Sequence, residues 1–157
     1  MVAVLGGFRL NCKNFVSIIN SRILYSAKAS NHCPRKMSSL TELSNIPKVD
    51  IDKSGVFKYI LIKVYNKDKQ EESPVTIVRG YAHCNYHSDI LDEVQDKLKP
   101  LECEVLGGGR ISHDADFKRI KIYGYSQGFG KADHEVTANI VKDVFPNYTI
   151  TISDEGY

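Results

Sequence analysis

The chain has 157 residues, 42% of them apolar, which supplies one hydrophobic core and argues against two independent domains. Its net charge of +2 hides an asymmetry: Arg9, Lys13, Arg22, Lys28, Arg35 and Lys36 meet no acid in residues 1–36, so the remainder carries 15 basic against 19 acidic residues, a net of −4. A mildly acidic body argues against a duplex nucleic-acid binder, which needs a basic face, and without a run of about 18 apolar residues no membrane span is expected and the protein is predicted to be soluble.

Residues 1–36 differ in composition from everything after them. Phe8, Phe15, Ile19 and Ile23 are spaced to form one face of a helix with Arg9 and Arg22 off it, the make-up of a mitochondrial presequence. The competing reading is a disordered or untranslated extension, since Met37-Ser38-Ser39 is a plausible start of its own. Both readings put the leader outside the fold, with 37–45 as a linker and 46–157 as the domain. Cys12, Cys33, Cys84 and Cys103 are too few and too irregular for a disulfide framework, and no C-x-x-C pair offers a structural zinc site. A reducing, cytoplasmic setting is expected, or a mitochondrial one if the leader is a presequence.

The segment Phe57–Tyr65 is dense in β-branched and aromatic residues and is punctuated by Gly55 and Asn66, which predicts a strand. Lys67–Pro74 is then a surface turn, and Val75–Tyr81 returns antiparallel, because eight residues are too few for a crossover. Asp89–Lys99 carries Ile90, Leu91, Val94 and Leu98 on one helical face and ends at Pro100. A short strand Glu102–Leu106 is expected to run into a sharp turn at Gly107-Gly108-Gly109, with Phe117–Tyr125 completing a second hairpin. Ala132–Phe145 aligns Val136, Ile140, Val141 and Val144 as a helix stopped by Pro146, and Tyr148–Ser153 is a last strand. The order ββαββαβ, with a short extra strand near Val49, predicts a single α+β domain: a mixed, mostly antiparallel sheet of five to six strands packed with two main helices.

Three segments carry chemistry. In Tyr86-His87-Ser88-Asp89 a strand hands over to a helix, whose unpaired N–H groups and dipole favour a phosphoryl group and disfavour an imidazolium. His87 is thus a candidate proton acceptor or nucleophile; the competing reading is that His87 and Ser88 merely start and cap the helix. In Gly124-Tyr125-Ser126-Gln127-Gly128-Phe129-Gly130 the glycines let amides turn toward one oxyanion and Ser126 adds a hydroxyl, though a flexible connection has the same look. Arg110, after the three glycines, suits a phosphate or a structural carboxylate, and the residues alone favour the structural role.

Other readings are weaker. Cys103 lies seven positions before Arg110, one too many for a cysteine-phosphatase loop. His83, Cys84 and His87 suggest a metal, but their spacing converges only on one helix and no carboxylate completes the set, so no metal is expected. Lys58, inside the apolar strand, is either a snorkelling side chain at a sheet edge or a phosphate ligand.

Together GVFKYILIKV, IVRGY, YHSDI, GGGRISH, GYSQGFGKADH and the terminal SDEGY resemble the phosphohistidine phosphatase (Janus) family over about 110 residues in the same order, nearest to its insect Janus-A-like branch. The resemblance implies hydrolysis of the P–N bond of phosphohistidine in proteins, without metal or other cofactor. It puts the active-site histidine on His87, flanked by Tyr86 and Ser88, and the substrate-binding lysine on Lys58. The phosphate loop falls on Ser126, Gln127 and Gly128, and the family's two arginines on Arg79 and Arg110 as supporting residues. Gln127 and Gly128 stand where vertebrate relatives carry methionine and alanine, so main-chain amides rather than side chains are expected to bind there. The implied partner is a histidine-phosphorylated protein met by a monomer, with no nucleic acid and no membrane. The competing class is a non-catalytic Janus-type regulator, connected with sex differentiation, that keeps the phosphate pocket as a binding module.

Overall fold

A computed structural model describes residues 42–154 apart from Gln70. The leader 1–36, the linker as far as residue 41 and the last three residues of SDEGY lie outside the described residues, and with them the presequence reading and Cys12 and Cys33. The elements are β1 (Val49–Ile51), β2 (Gly55–Tyr65), β3 (Val75–Tyr81), α1 (His87–Leu98), β4 (Glu102–Asp114), β5 (Arg119–Tyr123), α2 (His134–Val144) and β6 (Thr149–Ser153).

The strands form one six-stranded sheet in the order β1-β3-β2-β4-β5-β6. The three central pairings are antiparallel, whereas β1 joins β3 and β6 joins β5 in parallel, so the sheet is mixed. Alternation along β2 decides which helix covers which face. Ile60, Ile62 and Val64 pack with Ile77 and with Ile90, Val94 and Leu98 of α1, while Phe57, Tyr59 and Leu61 pack with Val78, Ile111, Ile120, Ile122 and Val141 of α2. Each fully buried side chain of this kind stabilises the fold by about 1.5–3 kcal/mol over its exposed state. Leu43, in a single helical turn at the end of the segment read as linker, is also buried in the α1-side core.

Three expectations change. The glycines Gly107–Gly109 make no turn: β4 continues through them, with a register shift against β2 between Val105 and Gly107, and the hairpin closes after Asp114. The reason is close approach, since side chains at these positions would collide with neighbouring backbone and rings. The apolar face of α2 is rotated from the predicted one: His134, Thr137 and Val141 are buried, whereas Val136 and Val144 are 40% and 46% exposed. Polar groups with internal partners, Thr137 and His134, occupy core positions that an apolar count passes over. Finally β2 is a central strand, so Lys58 does not snorkel at a sheet edge.

Among the described residues no helix is long and apolar enough to cross a membrane.

Candidate anion-binding and catalytic site

Lys58 lies opposite Arg110 on β4 and Tyr81 on β3. Directly paired residues of antiparallel strands share a face, so the Lys58 and Arg110 side chains emerge together on the side covered by α1. The start of α1 and the loop after β5 enclose them. The resulting cleft, of about 560 Å³, is lined by Lys58, Asn85, Tyr86, His87, Ser88 and Arg110, and across from them by Ser126, Gln127, Gly128 and Phe129. It contains two cations and no carboxylate, an arrangement that favours a small multiply charged anion.

His87 is the first residue of α1 and its side chain is buried. The preceding Tyr86 amide donates to Asp89 Oδ2 at 2.8 Å, which ties the helix start, whose first-turn amides have no partner within the helix. The ring Nε2 stands 3.0 Å from the Gly109 carbonyl oxygen. A carbonyl only accepts, so Nε2 carries the proton and Nδ1 of the neutral ring carries the lone pair. Burial is the main cause that pulls the imidazole pKa below its ordinary value; Lys58 and Arg110 lower it further, against the opposing pull of the Gly109 carbonyl. At neutral pH the ring is therefore uncharged.

The three glycines explain how the other wall is held. A side chain on Gly107 would come within 2.6–2.7 Å of the Lys131–Ala132 backbone, and one on Gly108 within 2.9 Å of both His87 Cδ2 and the Tyr59 carbonyl oxygen. Without side chains, the Gly108 N–H donates to the Gly130 carbonyl at 3.1 Å and the Ala132 N–H to the Gly108 carbonyl at 3.1 Å. The loop is closed on itself by Ser126 N–H to Gly130 O (3.1 Å) and Gly130 N–H to Ser126 O (2.9 Å). Ser126 is 2% exposed, and its hydroxyl accepts from the Phe129 amide at 3.2 Å, so it shapes the loop and keeps its own proton available for donation. Gln127 and Gly128 are exposed at the tip and line the cleft, and their amides make no hydrogen bond to another described residue.

Beneath the sheet, on the α2 side, a second buried imidazole holds the loop's root. His134 Nε2 donates to the Gly124 carbonyl at 3.0 Å, and the Tyr59 hydroxyl donates to His134 Nδ1 at 2.8 Å. Gly109 separates the two systems: its carbonyl serves His87, and a side chain there would come within 2.8 Å of the Tyr59 ring and 3.2 Å of His134.

Of the residues singled out in the sequence, His87, Lys58, Ser126, Gln127, Gly128, Tyr86, Ser88 and Arg110 all line the cleft. Arg110, for which a structural role was favoured, is there because it is the cross-strand partner of Lys58. Arg79 is not brought to the cleft. It is 4% exposed and donates to the carbonyls of Val78 and Pro47 at 2.8 and 2.7 Å, bracing the chain before β1. Cys103 lies within β4, its thiol pKa raised by burial, and does not line the cleft. Sequence reading missed Asn85 and gave no role to Phe129 within its loop, since neither shows a pattern of its own.

A profile of the Janus/Ocnus family (Ocnus) matches residues 43–149. The chain is 44% identical over 126 residues to the 14 kDa phosphohistidine phosphatase of Sus scrofa, a match covering 77% of this chain and all of that protein. It is 47% identical over 126 residues to the sex-regulated protein janus-A of Drosophila pseudoobscura pseudoobscura, covering 78% of this chain and 84% of the relative. The janus-A protein of Drosophila melanogaster is 44% identical over 117 residues, covering 73% and 84%.

Proposed function

Since the chain belongs to the Janus/Ocnus family, we propose that it is a protein phosphohistidine phosphatase that hydrolyses the P–N bond with His87 as the reacting group. The observation that carries this reading is the tautomer of His87: Nε2–H is bound to the Gly109 carbonyl, which leaves the Nδ1 lone pair on a neutral ring in a cleft with Lys58 and Arg110.

Phosphoramidate hydrolysis calls for positioning and charge stabilisation more than for a strong nucleophile, because imidazole leaves readily once protonated. Lys58, Ser126 and the loop and helix amides hold the equatorial phosphoryl oxygens in this scheme, with Arg110 adding charge beside Lys58. Two routes share the Nδ1 lone pair. In one, Nδ1 takes a proton from water as the water oxygen bonds to phosphorus and the P–N bond breaks; in the other, Nδ1 bonds to phosphorus and water cleaves that bond in a second step. The leaving imidazole nitrogen takes up a proton in both.

The substrate class is a phosphohistidine side chain on a protein, reached by a monomer, since the cleft is lined by exposed groups such as Tyr86 (69% exposed) and not closed over a small metabolite. The active domain is 46–157, and the leader 1–36 decides between a cytoplasmic and a mitochondrial setting. A second reading, a regulator that binds phosphate without turnover, is favoured by the sex-regulated janus-A relatives.

The deciding experiment is phosphate release from a histidine-phosphorylated peptide, with and without chelator. Release at equal rates in both supports the metal-free hydrolase. Binding of the peptide without release supports the regulator, and loss of release on chelation with the melting temperature unchanged overturns the scheme.

A further inference from the structure

Three side chains of metal-ligating chemistry that take no part in the anion cleft converge beside the chain leading into α1. His83 and Cys84 occupy the turn after β3, and Glu93 stands on the second turn of α1. One ligand atom from each lies within 4.8 Å of the other two. His83 Nε2 is 2.8 Å from Glu93 Oε2, and the Cys84 sulfur is 3.9 Å from the same oxygen. The His83 ring is stacked on Tyr81, with centroids 5.4 Å apart and planes at 16°, which holds its edge toward Glu93. The other oxygen of Glu93 takes Lys97 Nζ at 2.6 Å, so the carboxylate is steered from both sides.

We propose that His83, Cys84 and Glu93 form a binding site for a single borderline transition-metal ion, zinc being the one their donors suit, separate from the catalytic cleft. One imidazole nitrogen, one thiolate and one carboxylate make a mixed donor set that selects zinc over magnesium or calcium, which require oxygen alone. Around tetrahedral zinc, bond lengths of about 2.0–2.3 Å put ligand atoms roughly 3.3–3.6 Å apart. To reach that, the His83–Glu93 pair at 2.8 Å has to open by about half an ångström while the Cys84 sulfur draws in, and the imidazole, on a side chain 65% exposed, has room to turn. As the metal–sulfur bond forms, the Cys84 thiol proton passes to solvent and water takes the fourth position.

The ion would cross-link the turn after β3 to α1, with only Asn85 and Tyr86 between Cys84 and His87. It braces the start of the catalytic helix without entering the cleft. The site does not depend on the phosphatase reading, because its donors are distinct from the cleft residues.

The test is a titration of the reduced full-length chain with cobalt(II), followed by displacement with zinc. One equivalent of cobalt is expected to give a sulfur-to-metal charge-transfer band and intense tetrahedral d–d bands, both erased by zinc. Cys84→Ser should abolish the charge-transfer band, and His83→Ala and Glu93→Gln should each weaken zinc binding at least about 10-fold, as loss of one of three protein ligands demands. Cys103→Ser should change nothing. Zinc should raise the melting temperature of the parent and not of Cys84→Ser. If Cys84→Ser melts far below the parent without metal, the two surface variants decide. No cobalt band in the parent, or a band and zinc affinity that survive all three ligand substitutions and so belong to other thiols, overturns the proposal.

Discussion

The Nε2 of His87 and the carbonyl oxygen of Gly109 lie 3.0 Å apart across two elements that are 22 positions apart in the chain. That contact selects the tautomer in which Nδ1 keeps its lone pair, and it exists only because Gly108 lets the ring lie against β4.

Replacing His87 by alanine removes the lone pair on which both mechanistic routes depend. Turnover of a histidine-phosphorylated peptide is expected to fall about 100-fold or more, the scale of general-base catalysis, with the fold retained because the ring sits at a helix start and not in the main core. Steady-state kinetics with a circular-dichroism melt checks both halves. Near-parental turnover in a folded variant would remove His87 from the mechanism.

In the proposed scheme Lys58 meets the phosphoryl group in both ground and transition states, so its loss should act on two constants at once. Lys58→Ala is expected to raise KM and lower kcat, whereas Lys58→Arg recovers part of the loss because a planar fork replaces a point charge. Paired measurements of the two constants for both variants decide this. An unchanged KM in Lys58→Ala would show that the ammonium does not contact bound substrate.

The pH dependence follows from the lowered pKa of His87. In the proposed mechanism activity needs the neutral ring, so kcat/KM should stay level at neutral pH and fall only below the ordinary imidazole value of about 6.5. Lys58 is one of the charges that disfavours the imidazolium, so Lys58→Ala should move the acid limb toward higher pH. An NMR titration of the His87 ring in both forms reads the shift without relying on turnover. A His87 midpoint above the ordinary value in the parent would contradict the assignment.

Gly108→Ala probes the contact on which the site is built. The new methyl would stand 2.9 Å from both His87 Cδ2 and the Tyr59 carbonyl and 3.1 Å from Ser126 Cβ, and the backbone carbonyl cannot move aside cheaply. Overpacking of this kind costs about 1–3 kcal/mol, and here it also displaces the His87 ring and the Ser126 loop. Kinetics and thermal melts together should show turnover falling more steeply than stability. A variant with parental kcat would mean that ring position is less tightly specified than the contacts require.

Much of the fold is legible in the residues themselves. The β-branched run of β2, the apolar spacing of α1 and the proline stops at Pro100 and Pro146 depend on local periodicity, which needs no partner to be read. The motif YHSDI likewise places His87 at a helix start, because its polar residues give way at once to the apolar stripe of α1. Where reading failed, a distant contact had overridden a local signal. Three successive glycines ordinarily mark a turn, yet here they sit mid-strand to admit His87, the Lys131–Ala132 backbone and His134. Val136 and Val144 look like core residues, but the burial of His134 and Thr137 turns α2 so that both face solvent.

By itself the sequence determined the chemical inventory: a histidine at a helix N-terminus, a glycine-rich loop, a lysine in an apolar strand and two arginines. Only the tertiary structure decided which of them meet. Strand register put Arg110 beside Lys58 and left Arg79 bound to Pro47, and the docking of the loop on Gly108 set Ser126 opposite His87. The same docking of α1 against the turn after β3 brought Glu93 to His83 and Cys84, a carboxylate that no local spacing would have offered them. The physical reason is common to all of these pairings: helix and strand periods are written in neighbouring residues, whereas the contacts that make a site join segments whose separation along the chain carries no local signal.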